Sequence, residues 1–250
     1  MINSLLITGG SGKVGFQLIK SYLDKKFIVI TTTRNKKSLL DKLNSFLFDE
    51  KLLHIIEVDF DSEDALNVIE NYLLENRLKV NTVIHNARNI EYLKINKDGS
   101  ISDHNFKGEL FIGVIFPYKL TMLLRKMDID LKNVIFISSM YGVVGPNPML
   151  YEDFNMQSPI HYGIGKAAQI HMVKELAIRM ADEIRVNCVS FGGIKGRVDD
   201  EFLRRYKSLN PQNRMLEETD VVAPIDFLVQ DSSANMTGQN IIIDNGWTLW

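Results

Sequence analysis

The stretch "LLITGGSGKVGFQLI", residues 5–19, decides how the rest of the chain is read. A short apolar run leads into a turn crowded with glycines, and beyond it Val14, Leu18 and Tyr22 recur at four-residue spacing. That is a buried strand, a tight turn and the start of an amphipathic helix. The turn reads G-x-G-x-x-G at Gly10, Gly12 and Gly15, and T-G-x-x-G-x-x-G from Thr8 through Gly9. Glycines at this spacing let the backbone turn sharply and approach a pyrophosphate, which the free N–H groups and dipole of the helix start then hold. Strand before and helix after are the context this motif requires. A P-loop fails, because Ile7 stands where its first glycine belongs and Val14 follows Lys13 where Ser or Thr is needed. A hydrolase elbow around Ser11 fails because Lys13 replaces its second glycine.

Outward from this unit the pattern repeats. "NSLLIT", "FIVITT", "HIIEV", "VNTVIH", "NVIFIS", "IRVNCVS" and "NIIID" read as strands buried on both faces. Between them lie helical stripes: Leu39, Leu43 and Leu47; Ala65, Ile69 and Leu73; Met172, Leu176 and Met180. Alternation over the whole chain predicts one domain, residues 1–250, with a doubly wound parallel sheet of about seven strands. Two segments, 88–105 and 141–159, read as long loops beside a site, and 194–215 as a third wall.

Composition sets limits. The hydrophobic fraction of 45% and charged fraction of 24% are those of an ordinary soluble domain. A net charge of −2 argues against nucleic-acid binding by bulk charge. No signal peptide or membrane span is read, so a cytoplasmic protein is expected. The single cysteine, Cys188, forms no intrachain disulfide, and His54, His85, His104, His161 and His171 lack zinc-like spacing, so no metal site is expected.

Two further features carry chemistry. The second strand ends "ITTTRNKK": where a ribose-binding acid would stand, roughly 20 residues past the glycine loop, there is Thr33, followed by Arg34. With Lys13 in the loop, these cations suit a 2′-phosphate, hence NADP(H), with NAD(H) as the alternative. Later, "IHYGIGKAAQI", residues 160–170, places Tyr162 and Lys166 one turn apart on one helix face. An ammonium beside a phenol favours the phenolate, so the pair suits proton transfer.

The glycine loop, "SS" at 138–139 and Y-x-x-x-K together resemble the short-chain dehydrogenase/reductase family over essentially the whole chain. "VDF" at 58–60, "HNAR" at 85–88, "SFGGI" at 190–194 and "TGQNIIIDNGW" at 237–247 match further landmarks in order. The closing segment and the insert "PNPMLYEDFNMQSP" resemble, within that family, oxidoreductases of the flagellin-modification protein A type. The resemblance implies a single-domain Rossmann fold and an enzyme that interconverts a hydroxyl and a carbonyl on a small polar substrate, such as a sugar or nucleotide sugar in surface polysaccharide or flagellin glycan synthesis. It implies Ser139, Tyr162 and Lys166 as catalytic residues. For the cofactor it implies Thr8, Gly9, Gly10, Ser11, Gly12, Lys13, Val14, Gly15, Arg34, Asp59, Phe60, Asn86, Ala87, Gly192 and Ile194, with Tyr162 and Lys166.

The chain departs from the family pattern. Gly113 stands where a relay asparagine is common, Arg88 replaces a glycine after Asn86 and Ala87, and Phe191 replaces a proline. The serine-to-tyrosine interval is 23 residues, lengthened by the insert, and Asn245 replaces a glycine near the end. The T-G-x-x-G-x-x-G form resembles the extended branch of the superfamily and keeps a nucleotide-sugar epimerase or dehydratase in view, and Gly113, Arg88 and Phe191 keep a catalytically weakened nucleotide-binding regulator of the same fold in view. The helices expected at 103–126 and 160–181 are apolar beyond one stripe, and Trp247 and Trp250 stand at a chain end. The resemblance implies pairing through these two helices, and together with these features it predicts a homotetramer, with a dimer as the alternative.

Overall fold

The computed structural model describes residues 3–127, 129–196 and 198–249. The strands are β1 (Ser4–Ile7), β2 (Ile28–Thr33), β3 (Leu53–Glu57), β4 (Thr82–His85), β5 (Asn133–Ser139), β6 (Arg185–Phe191) and β7 (Asn240–Ile243). They form one parallel sheet in the order β3-β2-β1-β4-β5-β6-β7. The chain winds outward from β1 to β3, returns to β4 on the other side of β1, and winds outward again. A crevice therefore opens beyond the carboxyl ends of β1 and β4, where the winding reverses.

The helices are α1 (Lys13–Asp24), α2 (Lys36–Leu43), α3 (Ala65–Glu75), α4 (Asp103–Leu110), α5 (Phe116–Lys126), α6 (Phe154–Gln157), α7 (Ile160–Arg179), α8 (Asp200–Ser208) and α9 (Val222–Val229). Successive strand residues point to opposite faces, so an unbroken apolar run serves two cores at once. Leu6, Val83, Val134 and Phe136 pack beneath α3, α5 and α7. Leu5, Ile7, Ile84 and Ile135 pack beneath α1, α2 and α9. Cys188 is fully buried in the first core, and burial pushes its thiol up to about 12, so it acts as packing.

Several expectations change in three dimensions. Helix α2 ends at Leu43, so Leu47 falls outside the expected stripe and is 97% exposed. The insert 141–159 is not irregular. It contains a 3-10 turn at Pro148–Leu150 and the short α6, whose first N–H groups bond to the side chains of Asn147 and Asp153. A π-helical turn, Phe111–Ile115, joins α4 to α5 in one continuous helical stretch. Trp247 is not a wet chain end: it is buried, its ring stacked on Tyr206 with centroids 4.5 Å apart. Trp250 lies outside the described residues. Among the described residues no helix is long and apolar enough to cross a membrane, and no group of three His, Cys, Asp or Glu side chains could hold a metal ion.

Candidate active site

A cleft of about 560 Å³ fills the crevice. That is the size of a site for a cofactor or drug-sized ligand. Its floor is a clamp between the loops that follow β1 and β4. The Thr8 hydroxyl accepts from the N–H groups of Asn86 and Ala87 at 2.9 and 3.0 Å, and the Asn86 amide donates back to the carbonyls of Thr8 and Gly9. Gly9 has φ +73°, and a Cβ there would lie 2.8 Å from the Ala87 Cα. At Gly15 a Cβ would lie 2.5 Å from the Gly9 carbonyl, so only glycine lets α1 start this close to the loop. Helix α1 has no side-chain cap, and the N–H groups of Lys13 and Val14 have no acceptor among the described residues. They are free for an anionic ligand.

Toward β2, Thr33 donates to the Ser11 hydroxyl at 3.3 Å, and Lys42 of α2 donates to the Ser11 carbonyl at 2.8 Å. Arg34, Asp59 and Phe60 line the same end of the cleft, Phe60 with its ring stacked on Phe116. Lys13 turns the other way. Its ammonium donates to the Lys195 carbonyl at 2.8 Å and pairs with Glu218 at 3.1 Å, both from segments beyond β6. The Arg34 charge acts on Glu91 and Tyr92, and Lys42 is a further cation beside Ser11.

At the other end, Ser138 and Ser139 close β5. The Ser138 hydroxyl donates to the Lys166 carbonyl at 3.0 Å, tying β5 to α7. Ser139 instead caps the next turn, accepting from the Tyr141 N–H, and lines the cleft. Tyr162 and Lys166 line it from the first turns of α7, with the Lys166 ammonium 5.8 Å from the Tyr162 ring centroid. Lys166 is buried and donates to the Ile137 carbonyl at 2.8 Å and to the Gln169 side-chain oxygen at 3.1 Å. Gln169 then donates to the Gly113 carbonyl at 2.6 Å, inside the π-helical turn. Beneath this chain lies the buried Glu109. Burial raises its carboxyl above the usual range, against the fields of Lys166, Arg88 and His161.

The outer wall comes from distant segments. The Tyr141 and Tyr151 hydroxyls share a hydrogen bond of 2.6 Å, and the Gly193 N–H donates to the Tyr206 hydroxyl at 2.8 Å. Phe202, Met215 and Leu150 complete this side. The Arg88 guanidinium carbon stands 5.3 Å from the Tyr162 ring centroid.

Of the residues expected at the site, Ser139, Tyr162, Lys166, Gly9, Ser11, Gly12, Lys13, Val14, Arg34, Asp59, Phe60, Asn86, Ala87, Gly192 and Ile194 all line this one cleft. Thr8, Gly10 and Gly15 stand behind its wall and shape it. Lys42, Gln169 and Glu109 were not read as site residues. Each lies within a helical pattern, and nothing local marks its direction.

A family profile described as Enoyl-(Acyl carrier protein) reductase matches residues 14–248. The chain is 28% identical to post-translational flagellin modification protein A of Campylobacter coli, with 98% of each chain covered. It is 30% identical to the NADH-dependent L-xylulose reductase of Ambrosiozyma monospora over 58% of this chain and 53% of that one. A short chain dehydrogenase from Leptospira borgpetersenii serovar Hardjo-bovis, solved with bound NAD+, superposes with a TM-score of 0.85 at 27% identity, covering 99% of this chain and 93% of that one.

Proposed function

Because the chain belongs to the short-chain dehydrogenase/reductase family of oxidoreductases, we propose that it is an NADP(H)-dependent enzyme interconverting a hydroxyl and a carbonyl on a small polar substrate. A sugar or nucleotide sugar of surface-glycan synthesis fits that description, and the likeness to a flagellin modification protein and a xylulose reductase supports it. The carrying observation is the meeting of Ser139, Tyr162 and Lys166 in the cleft onto which the uncapped start of α1 opens.

The residues fit a dinucleotide. The free N–H groups of Lys13 and Val14 suit its pyrophosphate, and the close approach at Gly9 and Ala87 keeps that floor flat. When bound, the nicotinamide supplies or accepts hydride. Tyr162 gives a proton to the carbonyl oxygen in reduction and removes it in oxidation. Ser139 donates a hydrogen bond that holds this oxygen. Lys166, fixed by Ile137 and Gln169, keeps a positive charge beside the phenol. The buried position of Lys166 and Ser139 limits competing water.

Thr33 in place of an acid, with Lys42 beside Ser11 and Arg34 lining the cleft, supports NADP(H) over NAD(H). The Ambrosiozyma relative is named for NADH and the Leptospira protein holds NAD+. The adenosine-side preference is therefore read from this chain's own residues. Each charged hydrogen bond contributes roughly 1.5–3 kcal/mol, so calorimetry should give NADP(H) an advantage of about tenfold or more, lost in Arg34→Ala. Equal affinities rule out the preference. Net NADPH consumption across a panel of keto sugars tests the reaction itself. Redox-neutral isomerisation would instead indicate an epimerase.

The same reading makes the protein a homo-oligomer, a tetramer or else a dimer. Ile115, Tyr118 and Ile178 stay exposed on α4–α5 and α7, and a groove between α5 and α7 is lined by Met122 and Met172. The insert does not cover this face, since its Leu150 and Tyr151 pack with Tyr206 and Trp247. Light scattering at the 28.6 kDa of one chain rejects the oligomer.

A further inference from the structure

We propose that Arg88 is an anion receptor for the substrate: the molecule reduced or oxidised here carries a carboxylate or phosphate close to its reacting carbonyl. This rests on the oxidoreductase reading above and names the substrate's class. The argument begins with the backbone. Asn86 and Ala87 are pinned by Thr8, and the Ala87 Cα sits against Gly9. Arg88 is the first residue past that clamp, so its starting point is fixed while its side chain projects into the cleft. The guanidinium lies over the ring of Tyr162, 5.3 Å from the centroid. An arginine on an aromatic face keeps its edge of N–H donors free.

Among the described residues nothing uses those donors. Arg88 is exposed and makes no hydrogen bond or ion pair with any described residue. Glu109, whose carboxyl feels the Arg88 charge, shares no ion pair with it. The other cations near the reacting end are committed: Lys13 to Glu218 and the Lys195 carbonyl, Lys166 to Ile137 and Gln169. Arg34 stands at the β2 end of the cleft. Beside the reactive phenol there is thus a planar cation with free donors, facing walls of Tyr141 and Tyr151. That fork matches the two oxygens of a carboxylate or phosphate. A substrate held there by its acid group would have its orientation set before its carbonyl meets Tyr162 and Ser139.

The test is calorimetric, on protein with and without NADP+. The probes are levulinate against its methyl ester, and dihydroxyacetone phosphate against dihydroxyacetone. The expected result is that at least one acid binds about tenfold or more tightly than its neutral partner. Arg88→Gln should abolish that ratio, Arg88→Lys should retain part of it, and NADP+ affinity should be unchanged in both. The acid with the larger Arg88-dependent ratio identifies carboxylate or phosphate as the group received. The proposal is overturned if neither acid binds, if acids and neutral partners bind alike, or if the preference survives in Arg88→Gln. It is also overturned if Arg88→Gln weakens NADP+ instead, since Arg88 then serves the cofactor's phosphates. The two readings fail separately. Failure to bind either NADP+ or NAD+, with Arg88-dependent acid binding intact, removes the hydride reading alone, and the reverse removes only the anion receptor.

Discussion

At the β1 end of the cleft the wall is backbone laid against backbone, whereas at the β6 end it is side chain stacked on side chain. The first is one clamp: Thr8 and Asn86 exchange hydrogen bonds across the point where the winding reverses, and Gly9 and Gly15 leave no room for a Cβ. The second gathers Tyr141, Tyr151, Phe202, Tyr206, Met215 and Trp247 from five stretches of chain. A backbone clamp tolerates few residue types, because its fit depends on atoms every residue carries. An aromatic wall can change its members and keep its shape. The β1 end therefore suits a part common to many ligands, such as a pyrophosphate, and the β6 end a part that varies.

The largest expected effect separates the two ends at the reaction itself. Tyr162→Phe should lower kcat by roughly 10²–10⁴ while nicotinamide-cofactor affinity, expected to come from the β1 end, stays as it was. Stopped-flow turnover and calorimetry on one preparation check both halves, and near-normal kcat removes Tyr162 from the mechanism. Next comes the clamp. Gly9→Ala forces a side chain into a left-handed backbone and against the Ala87 Cα, which should cost about 3 kcal/mol. Thermal unfolding should fall by roughly 6–12 °C at 2–4 °C per kcal/mol, and an unchanged Tm would mean the two loops can part freely.

A smaller effect is expected at Gln169→Leu, which removes one of two acceptors from Lys166 and strands the Gly113 carbonyl. About a tenfold loss of kcat should come with substrate KM little changed, since a lysine less firmly held is no longer fixed beside Tyr162. An unchanged kcat would make Gln169 mere packing. The smallest effect belongs to the aromatic wall. Tyr206→Phe leaves the Gly193 N–H without its partner, a loss of about 1 kcal/mol. It should raise the substrate KM a few-fold and spare nicotinamide-cofactor affinity. A larger change in cofactor affinity would mean the β6 end also serves the cofactor.

How far the site could be read from sequence follows the same division. The strands, the glycine loop and the Tyr162–Lys166 pair were legible because each is a local pattern: an apolar run, a turn that needs glycine, two residues one helical turn apart. Lys13 and Arg34 were legible as cations beside the glycine loop and the end of the second strand, but not in their directions, and the structure sends Lys13 to Glu218. Gln169 reads in sequence as one more polar residue on a helix; its value comes from meeting Gly113, more than fifty positions earlier.

By itself, then, the amino-acid sequence determined the order of strands and helices, the parallel sheet and the place of the glycine turn, since hydrophobic period and backbone preference act over a few residues. Only the tertiary structure decided that Lys42 reaches Ser11 while Lys13 reaches Glu218, that Trp247 is interior, that Lys166 is held through Gln169, and that Arg88 is left unpaired over Tyr162. Those are contacts between segments brought together by the winding of the sheet. Their partners are set by packing across the whole domain, which no local window of residues contains.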